Sequence, residues 1–195
     1  KLDVIIGYGD LGGIDPQFLK QKGFKLNYIP MKRGSVNIFK DLQSLFYIYR
    51  FFLKEKPDIV HLVTIKPYIY GGIIARITGV PCLVSAVSGL GALFVRQNFK
   101  SKLLRFLLYP LYRFAFNHIN QIIIFQNKED ANLLQKWGIL NPSKIRILKG
   151  SGVQIESFTK LNDPVGLPVI CFAARLLVDK GVLEYISAAR LIKKR

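Results

Sequence analysis

The chain of 195 residues reads as an α/β protein. The expected architecture is a parallel sheet with helices on both faces, followed by the first strand–helix unit of a second α/β domain. Three observations predict it. Short β-branched runs alternate with longer stretches of helical period, so successive strands are joined by helical crossovers and must run parallel. The runs are apolar almost throughout, as in strands covered on both sides. After a break at 150–168 that carries Gly, Asn, Asp and Pro but no period, the same rhythm restarts.

Taken in order, 2–6 is a strand, and Asp15-Pro16 opens a short helix that Gly23 ends, a capping side chain followed by Pro at the first helical position. A second strand is expected at 25–29. From Asn37 to Lys56 the apolar residues Ile38, Leu42, Leu45, Phe46, Tyr49, Phe52 and Leu53 follow a helical period, and Pro57 stops it. A third strand covers 58–63, a helix about 68–78, a fourth strand 82–87 and a long helix about 100–117. A fifth strand follows at 121–125, a helix at 128–137 and a sixth strand at 144–148. Residues 1–149 then form one domain and 150–168 a linker. Residues 169–195, with a strand at 169–173 and a helix at 181–194, begin another. The chain opens on Lys1 and its only methionine is Met31, so the sequence is read as a fragment or processed piece with no visible signal peptide.

Composition narrows the function classes. Lys and Arg number 29 against 12 Asp and Glu, a net charge of +17, yet half the residues are hydrophobic, which excludes a disordered polycation. Cys82 and Cys171 lie far apart in apolar runs and are expected to be buried thiols. Between Asp58 and Glu129 there is no acid, while Lys66, Arg76, Arg96, Lys100, Lys102, Arg105, Arg113 and Lys128 fall inside. So one-sided a field should face phosphates, a membrane surface or nucleic acid. The uncharged run 77–95 contains Gly79, Pro81, Gly89 and Gly91 and reads as turn, strand and loop, not as a membrane span.

Five patterns could carry chemistry. Gly7-Tyr8-Gly9-Asp10-Leu11-Gly12 is a literal G-x-G-x-x-G after a strand, and Arg33 could serve an NADP phosphate, the oxidoreductase alternative. The following helix starts only at Asp15-Pro16 and no acid follows the second strand, so a flexible loop is the preferred reading. Second, the third strand delivers His61, Thr64 and Lys66 to a carboxyl edge where open α/β sheets bind ligands, although a lone strand-end His is more often structural. Third, Ser88-Gly89-Leu90-Gly91 could bring backbone N–H groups to a phosphate or sugar, or could be a plain turn. Fourth, Arg175-x4-Lys180-Gly181, between the last strand and last helix, sets a guanidinium fork and a point charge where a diphosphate could sit. Fifth, on the helix after residue 99, Lys102, Arg105, Tyr109 and Arg113 line one stripe of a very apolar surface, which suits an anionic membrane interface, and Pro110 should kink it. A basic nucleic-acid module is the other alternative. No signature of such a fold is present, and this helix is too apolar for a solvated binding face.

Together these residues resemble the family-4 retaining glycosyltransferases of the GT-B fold, and among them bacterial enzymes that extend sugars on undecaprenyl diphosphate. The resemblance rests on Lys56-Pro57-Asp58-Ile59-Val60-His61, Thr64-Ile65-Lys66-Pro67, Ser88-Gly89-Leu90-Gly91 with Phe94, and Phe125-Gln126-Asn127 with Glu129-Asp130. It continues through Gly150-Ser151-Gly152-Val153 with Phe158, and Ala174-Arg175-x4-Lys180-Gly181. It implies a GT-B protein with an acceptor-side amino-terminal domain and a carboxyl-terminal domain for the nucleotide sugar, a UDP-hexose or UDP-N-acetylhexosamine. Arg175 and Lys180 match the pair that stabilises the leaving donor diphosphate. His61 is the implied catalytic side chain, and Lys66, Ser88, Gly89 and Asn127 match cleft positions on the acceptor side. Lys102, Arg105 and Arg113 are expected to face the membrane. The resemblance implies no metal and no resident cofactor, a polyprenyl-diphosphate-linked acceptor, no nucleic acid partner, and a peripheral place on the cytoplasmic face of the cell membrane. It places the family's first strand before Leu2 and its E-x7-E segment after Arg195, so this stretch alone is expected not to turn over. Gln154 departs from the family's frequent Asp.

Overall fold

The structure, a computed structural model, describes residues 2–10, 15–31, 37–91, 94, 98–150, 152–162, 165–174 and 176–193. The chain divides into two units, Lys1–Ser151 and Gly152–Arg195.

In the first unit, β1 (Ile5–Tyr8) and β2 (Lys25–Tyr28) form a parallel pair, with α1 (Pro16–Gln21) between them in sequence. Asp15 caps α1 by accepting from the Gln17 N–H at 2.8 Å. Gly7 lies inside β1, not in a loop after it. A Cβ on Gly7 would stand 3.1 Å from Ile29 Cδ1 and 3.2 Å from Phe51 Cε1; one on Gly9 would stand 2.7 Å from the Met31 carbonyl oxygen. Close packing thus gives each of these two glycines a structural reason, while Gly9 and Asp10 already lie beyond the strand. Gly12 lies outside the described residues.

Helix α2 (Ile38–Glu55) is capped by Asn37, whose side chain accepts from the Lys40 N–H, and closes with Lys56 in the left-handed region before Pro57. It leads into a second parallel sheet in the order β3 (Ile59–Val63), β4 (Cys82–Val87), β5 (Gln121–Phe125), β6 (Ile145–Ile147). Between these strands run α3 (Ile65–Thr78), α4 (Phe99–Ala115) and α5 (Lys128–Lys136). Helix α3 starts a full turn earlier than its apolar pattern predicts. Pro67 falls within its first turn, where the missing N–H would have had no helical partner. Helix α4 continues through Pro110.

The core lies between this sheet and its helices. Leu62 and Val60 of β3, Leu83 and Val87 of β4, and Ile123 and Phe125 of β5 point inward against Tyr68, Ile69 and Ile74 of α3 and Tyr112 of α4. Gly71 and Gly72 let α3 sit close: a Cβ on Gly71 would meet Leu62 Cδ2 at 2.5 Å, and one on Gly72 the Ala115 carbonyl oxygen at 2.8 Å. Arg76 ties α3 to α4, its guanidinium 3.9 Å from the Phe114 ring centroid and donating to the Phe114 carbonyl.

Buried residues of β3, β4 and β5 alternate with residues that are exposed or half-buried. Ile59 (60% exposed), Val63 (49%) and Ile122 (43%) share the open face with His61. On the same face Val84 and Ala86 of β4 and Ile124 of β5 are half-buried, so exposure there is greatest along β3. Cys82 opens β4 on that face, and both Cys82 and Cys171 are exposed free thiols, correcting the expectation of burial.

In the second unit, α6 (Val182–Lys193) follows two 3-10 turns, Ile155–Ser157 and Val178–Lys180. The strand expected at 169–173 does not form. Val169 and Ile170 are exposed, and a strand exists only through a ladder partner, which the described residues of this unit lack. Tyr185 holds the segment to α6 instead, its hydroxyl donating to the Ile170 carbonyl at 2.7 Å and its ring 5.2 Å from that of Phe172.

Candidate functional site

Because all four strands of the larger sheet run the same way, their carboxyl ends make one edge. The residues that follow them are Thr64 and Lys66 after β3, Ser88–Gly91 after β4, and Asn127 after β5. This is the edge at which open parallel sheets bind ligands.

The turn from β3 into α3 is strained. Thr64 has φ 73° and ψ 167°, a region that glycine alone enters readily, and its side chain makes no capping bond. Ile65, the next residue, reaches the neighbouring loop: a Cβ on Gly91 (φ 72°) would stand 3.0 Å from Ile65 Cδ1. Gly89 (φ 154°) would meet nothing within 4 Å, so its backbone borders open space, and Ser88 beside it is exposed. The structure thus brings Lys66, Ser88 and Gly89 to one edge. His61 lies in the middle of β3, opposite Val84, with its side chain exposed on the face it shares with Ile59 and Val63.

Lys66 is already paired. Its ammonium lies 2.6 Å from Asp41 Oδ1 in α2, both side chains about four-fifths buried, and 5.9 Å from the centroid of the Tyr70 ring. Burial, and next the Asp41 charge, push the Tyr70 hydroxyl well above its ordinary value. Asp41 escaped sequence reasoning because an acid in a first helical turn already has a reason, favourable interaction with the helix dipole. Asn127 is the cap of α5: its Oδ1 accepts from the Asp130 N–H at 2.7 Å and its Nδ2 donates to Asp130 Oδ2 at 3.1 Å.

On α4 the three basic residues differ. Lys102 is exposed. Arg105 donates to the Phe94 carbonyl at 3.3 Å, and Arg113 to the Gly138 carbonyl at 2.9 Å and the Tyr109 hydroxyl at 3.5 Å. Around them Phe99, Leu103, Phe106 and Leu107 are exposed, a larger open apolar surface than the sequence pattern implies. Tyr68 of α3 and Tyr112 on the buried side of α4 both have hydroxyls shifted upward by burial, Tyr112 to about 12. In the second unit Lys180 is exposed at the end of a 3-10 turn, just before Gly181 and α6. Arg175 lies outside the described residues. No group of three His, Cys, Asp or Glu side chains placed to hold a metal occurs among the described residues.

Fold and topology together define the class, a Rossmann-like parallel α/β protein. More particularly, the chain belongs to the glycosyl transferase 4-like family, whose profile matches residues 16–127. It is 27% identical over 92% of its length to the N,N'-diacetylbacillosaminyl-diphospho-undecaprenol alpha-1,3-N-acetylgalactosaminyltransferase of Campylobacter jejuni, covering 50% of that protein. It is 34% identical over 85% of its length to the UDP-Gal:alpha-D-GlcNAc-diphosphoundecaprenol alpha-1,3-galactosyltransferase of Escherichia coli, covering 44%. A capsular polysaccharide biosynthesis glycosyltransferase, CapM, of Staphylococcus aureus is 30% identical over 91% of the chain, which covers 48% of it. The chain therefore spans about half the length of the curated relatives it matches.

Proposed function

We propose that the protein carrying this chain is a glycosyltransferase. It moves a sugar, a hexose or N-acetylhexosamine, from a UDP-sugar to a lipid-diphosphate-linked saccharide in the assembly of a cell-surface polysaccharide or glycan. The observation that carries this reading is the family match over 16–127, supported by relatives named for acting on diphospho-undecaprenol acceptors. Residues 1–149 are the acceptor side, 150–168 the linker and 169–195 the start of the donor domain. Arg175 and Lys180 hold the donor diphosphate and stabilise it as it leaves, and His61 is the catalytic side chain. Transfer retains configuration, with attack on the face that the diphosphate leaves, and uses neither a metal nor a resident cofactor. Lys66 enters the acceptor cleft as half of an ion pair, a combination that suits sugar hydroxyls better than phosphate, since the Asp41 carboxylate would repel an anion.

The enzyme works at the inner face of the membrane as a peripheral protein; nucleic acid is not a partner in this reading. No helix among the described residues is long and apolar enough to cross a membrane. Two helices suit its surface. Helix α4 exposes Phe99, Leu103, Phe106 and Leu107 beside its basic residues, and α2 exposes Phe39, Leu42, Phe46, Tyr49 and Leu53 on one stripe beside Lys40, Arg50 and Lys54.

The test is turnover of UDP-sugars by the full-length enzyme with a polyprenyl-diphosphate saccharide. Arg175→Ala and Lys180→Ala should each reduce kcat by about a hundredfold or more. Unchanged turnover in both would remove the donor assignment.

A further inference from the structure

A cavity of about 440 Å³ opens on α4, lined by Lys102, Arg105, Phe106, Tyr109 and Trp137. The first four come from one face of the helix, spaced by three, one and three residues, and Trp137 supplies the opposite wall from the end of α5. That wall is rigid: the Trp137 ring packs edge-on or tilted against Phe94, Tyr109 and Tyr112, with centroids 5.2, 5.6 and 5.9 Å away. The Arg105 guanidinium is held at the rim through the Phe94 carbonyl. Two cations thus converge on a pocket with aromatic sides, and the next residues outward, Leu103 and Leu107, are exposed and apolar. This stretch of the sequence holds no acid from 59 to 128.

We propose that this cavity binds the diphosphate end of a polyprenyl-diphosphate-linked saccharide, a site distinct from the strand-end residues above. The inference rests on the acceptor reading of the proposed function and adds where the acceptor is gripped. Lys102 and Arg105 meet the diphosphate, Arg105 as a planar fork and Lys102 as a mobile point charge. Trp137 and Tyr109 offer flat faces to the first sugar, while Phe106, Leu103 and Leu107 lead the isoprenoid chain away over apolar surface. A bare phosphate would leave the aromatic walls idle, and a water-soluble nucleotide sugar would gain nothing from the apolar approach. The pocket's volume also exceeds what one phosphate fills.

Tryptophan fluorescence of the full-length enzyme tests this, with Trp137→Phe identifying the signal from residue 137. Farnesyl diphosphate should change the fluorescence in the wild type and not in Trp137→Phe. Lys102→Gln and Arg105→Lys should each weaken that binding about tenfold and raise KM for the polyprenyl-diphosphate acceptor similarly, leaving KM for the UDP-sugar unchanged. Arg105→Lys keeps the charge and the possibility of reaching Phe94, so a loss there reports the fork and not misfolding. The inference is overturned if farnesol binds as well as farnesyl diphosphate, if inorganic pyrophosphate binds as tightly, or if phosphatidylglycerol vesicles give the same Trp137 signal. It is also overturned if acceptor KM is untouched in both variants while transfer proceeds. Absence of transfer to any polyprenyl-diphosphate acceptor, with farnesyl diphosphate still bound at Trp137, would instead overturn the functional reading.

Discussion

Gln121 opens β5 and is buried, and its amide is spent on three partners. Its Oε1 accepts from the His118 N–H at 3.1 Å, and its Nε2 donates to Ser85 Oγ at 3.0 Å and, less tightly, to the Ala115 carbonyl at 3.3 Å. One side chain thus joins β4, β5, the turn before β5 and the end of α4. Gln121→Leu keeps the volume and removes all three bonds. A neutral hydrogen bond contributes about 1 kcal/mol net, and a buried donor left alone costs about 1–3 kcal/mol. The N–H of the buried His118 loses its acceptor, whereas the Ser85 hydroxyl can rotate, so the polar loss is roughly 3–4 kcal/mol. Burying leucine in place of an amide returns about 1 kcal/mol of that. The expected net cost is roughly 2–3 kcal/mol, which for a chain of this size lowers Tm by roughly 4–12 °C. Urea unfolding followed by circular dichroism measures it, with an unchanged m-value as the condition for comparison. Ser85→Ala alone should cost about 1 kcal/mol, and almost nothing more once Gln121 is leucine, because the bond is already gone. A loss below about 0.5 kcal/mol for Gln121→Leu, or additive effects of the two substitutions, would refute this account of the network.

Three further outcomes are expected. Thr64→Gly should stabilise the protein by about 1 kcal/mol in urea unfolding: relief of a backbone strain of about 1–3 kcal/mol exceeds glycine's entropic cost of about 0.5–1 kcal/mol; a lowered midpoint would show the turn to be unstrained. Burial raises the hydroxyls of Tyr68, Tyr70 and Tyr112 above 10.0, so their contribution to stability is complete below pH 10 and is lost as pH climbs through about 12, where Tyr112 ionises in the folded state. Circular dichroism and tyrosinate absorbance should therefore change together in that window, and ionisation of all tyrosines near pH 10 with the fold intact would contradict it. Flotation of the full-length protein with vesicles should require anionic lipid and weaken when Lys102, Arg105 and Arg113 become Gln, or when Phe39 and Phe46 become Ser. Equal flotation of all variants would remove both helices from the membrane surface.

Much of the fold was legible because its signals are local. The strands at 82–87 and 121–125 fall where their β-branched runs do, and α2 begins at its asparagine cap and ends before Pro57. The misses share a physical origin in partners distant along the chain. Residues 169–173 have the composition of a strand and, among the described residues, no ladder to join. Cys82 sits in an apolar run but is exposed at the first position of its strand. Gly7 and Gly9 imitate a phosphate loop, yet they answer to Ile29, Phe51 and Met31, which no spacing rule connects to them. At the site, the strand-end loops were legible as glycine and hydroxyl clusters. The Asp41 partner of Lys66 and the Trp137 wall were not, because each joins helices that only the tertiary fold brings together.

The open face of the larger sheet also has a colloidal consequence. Ile59, Val63 and Ile122 form apolar ground beside the outer edge of β3, which pairs with no strand among the described residues, and such edges recruit other chains. Opposing this is a net charge of +17, which keeps copies apart through a field reaching about 10 Å at 0.1 M salt and only about 3 Å at 1 M. For this stretch of chain, salt acts as the trigger for association: dilute buffer keeps it dispersed, and screening lets one sheet find another.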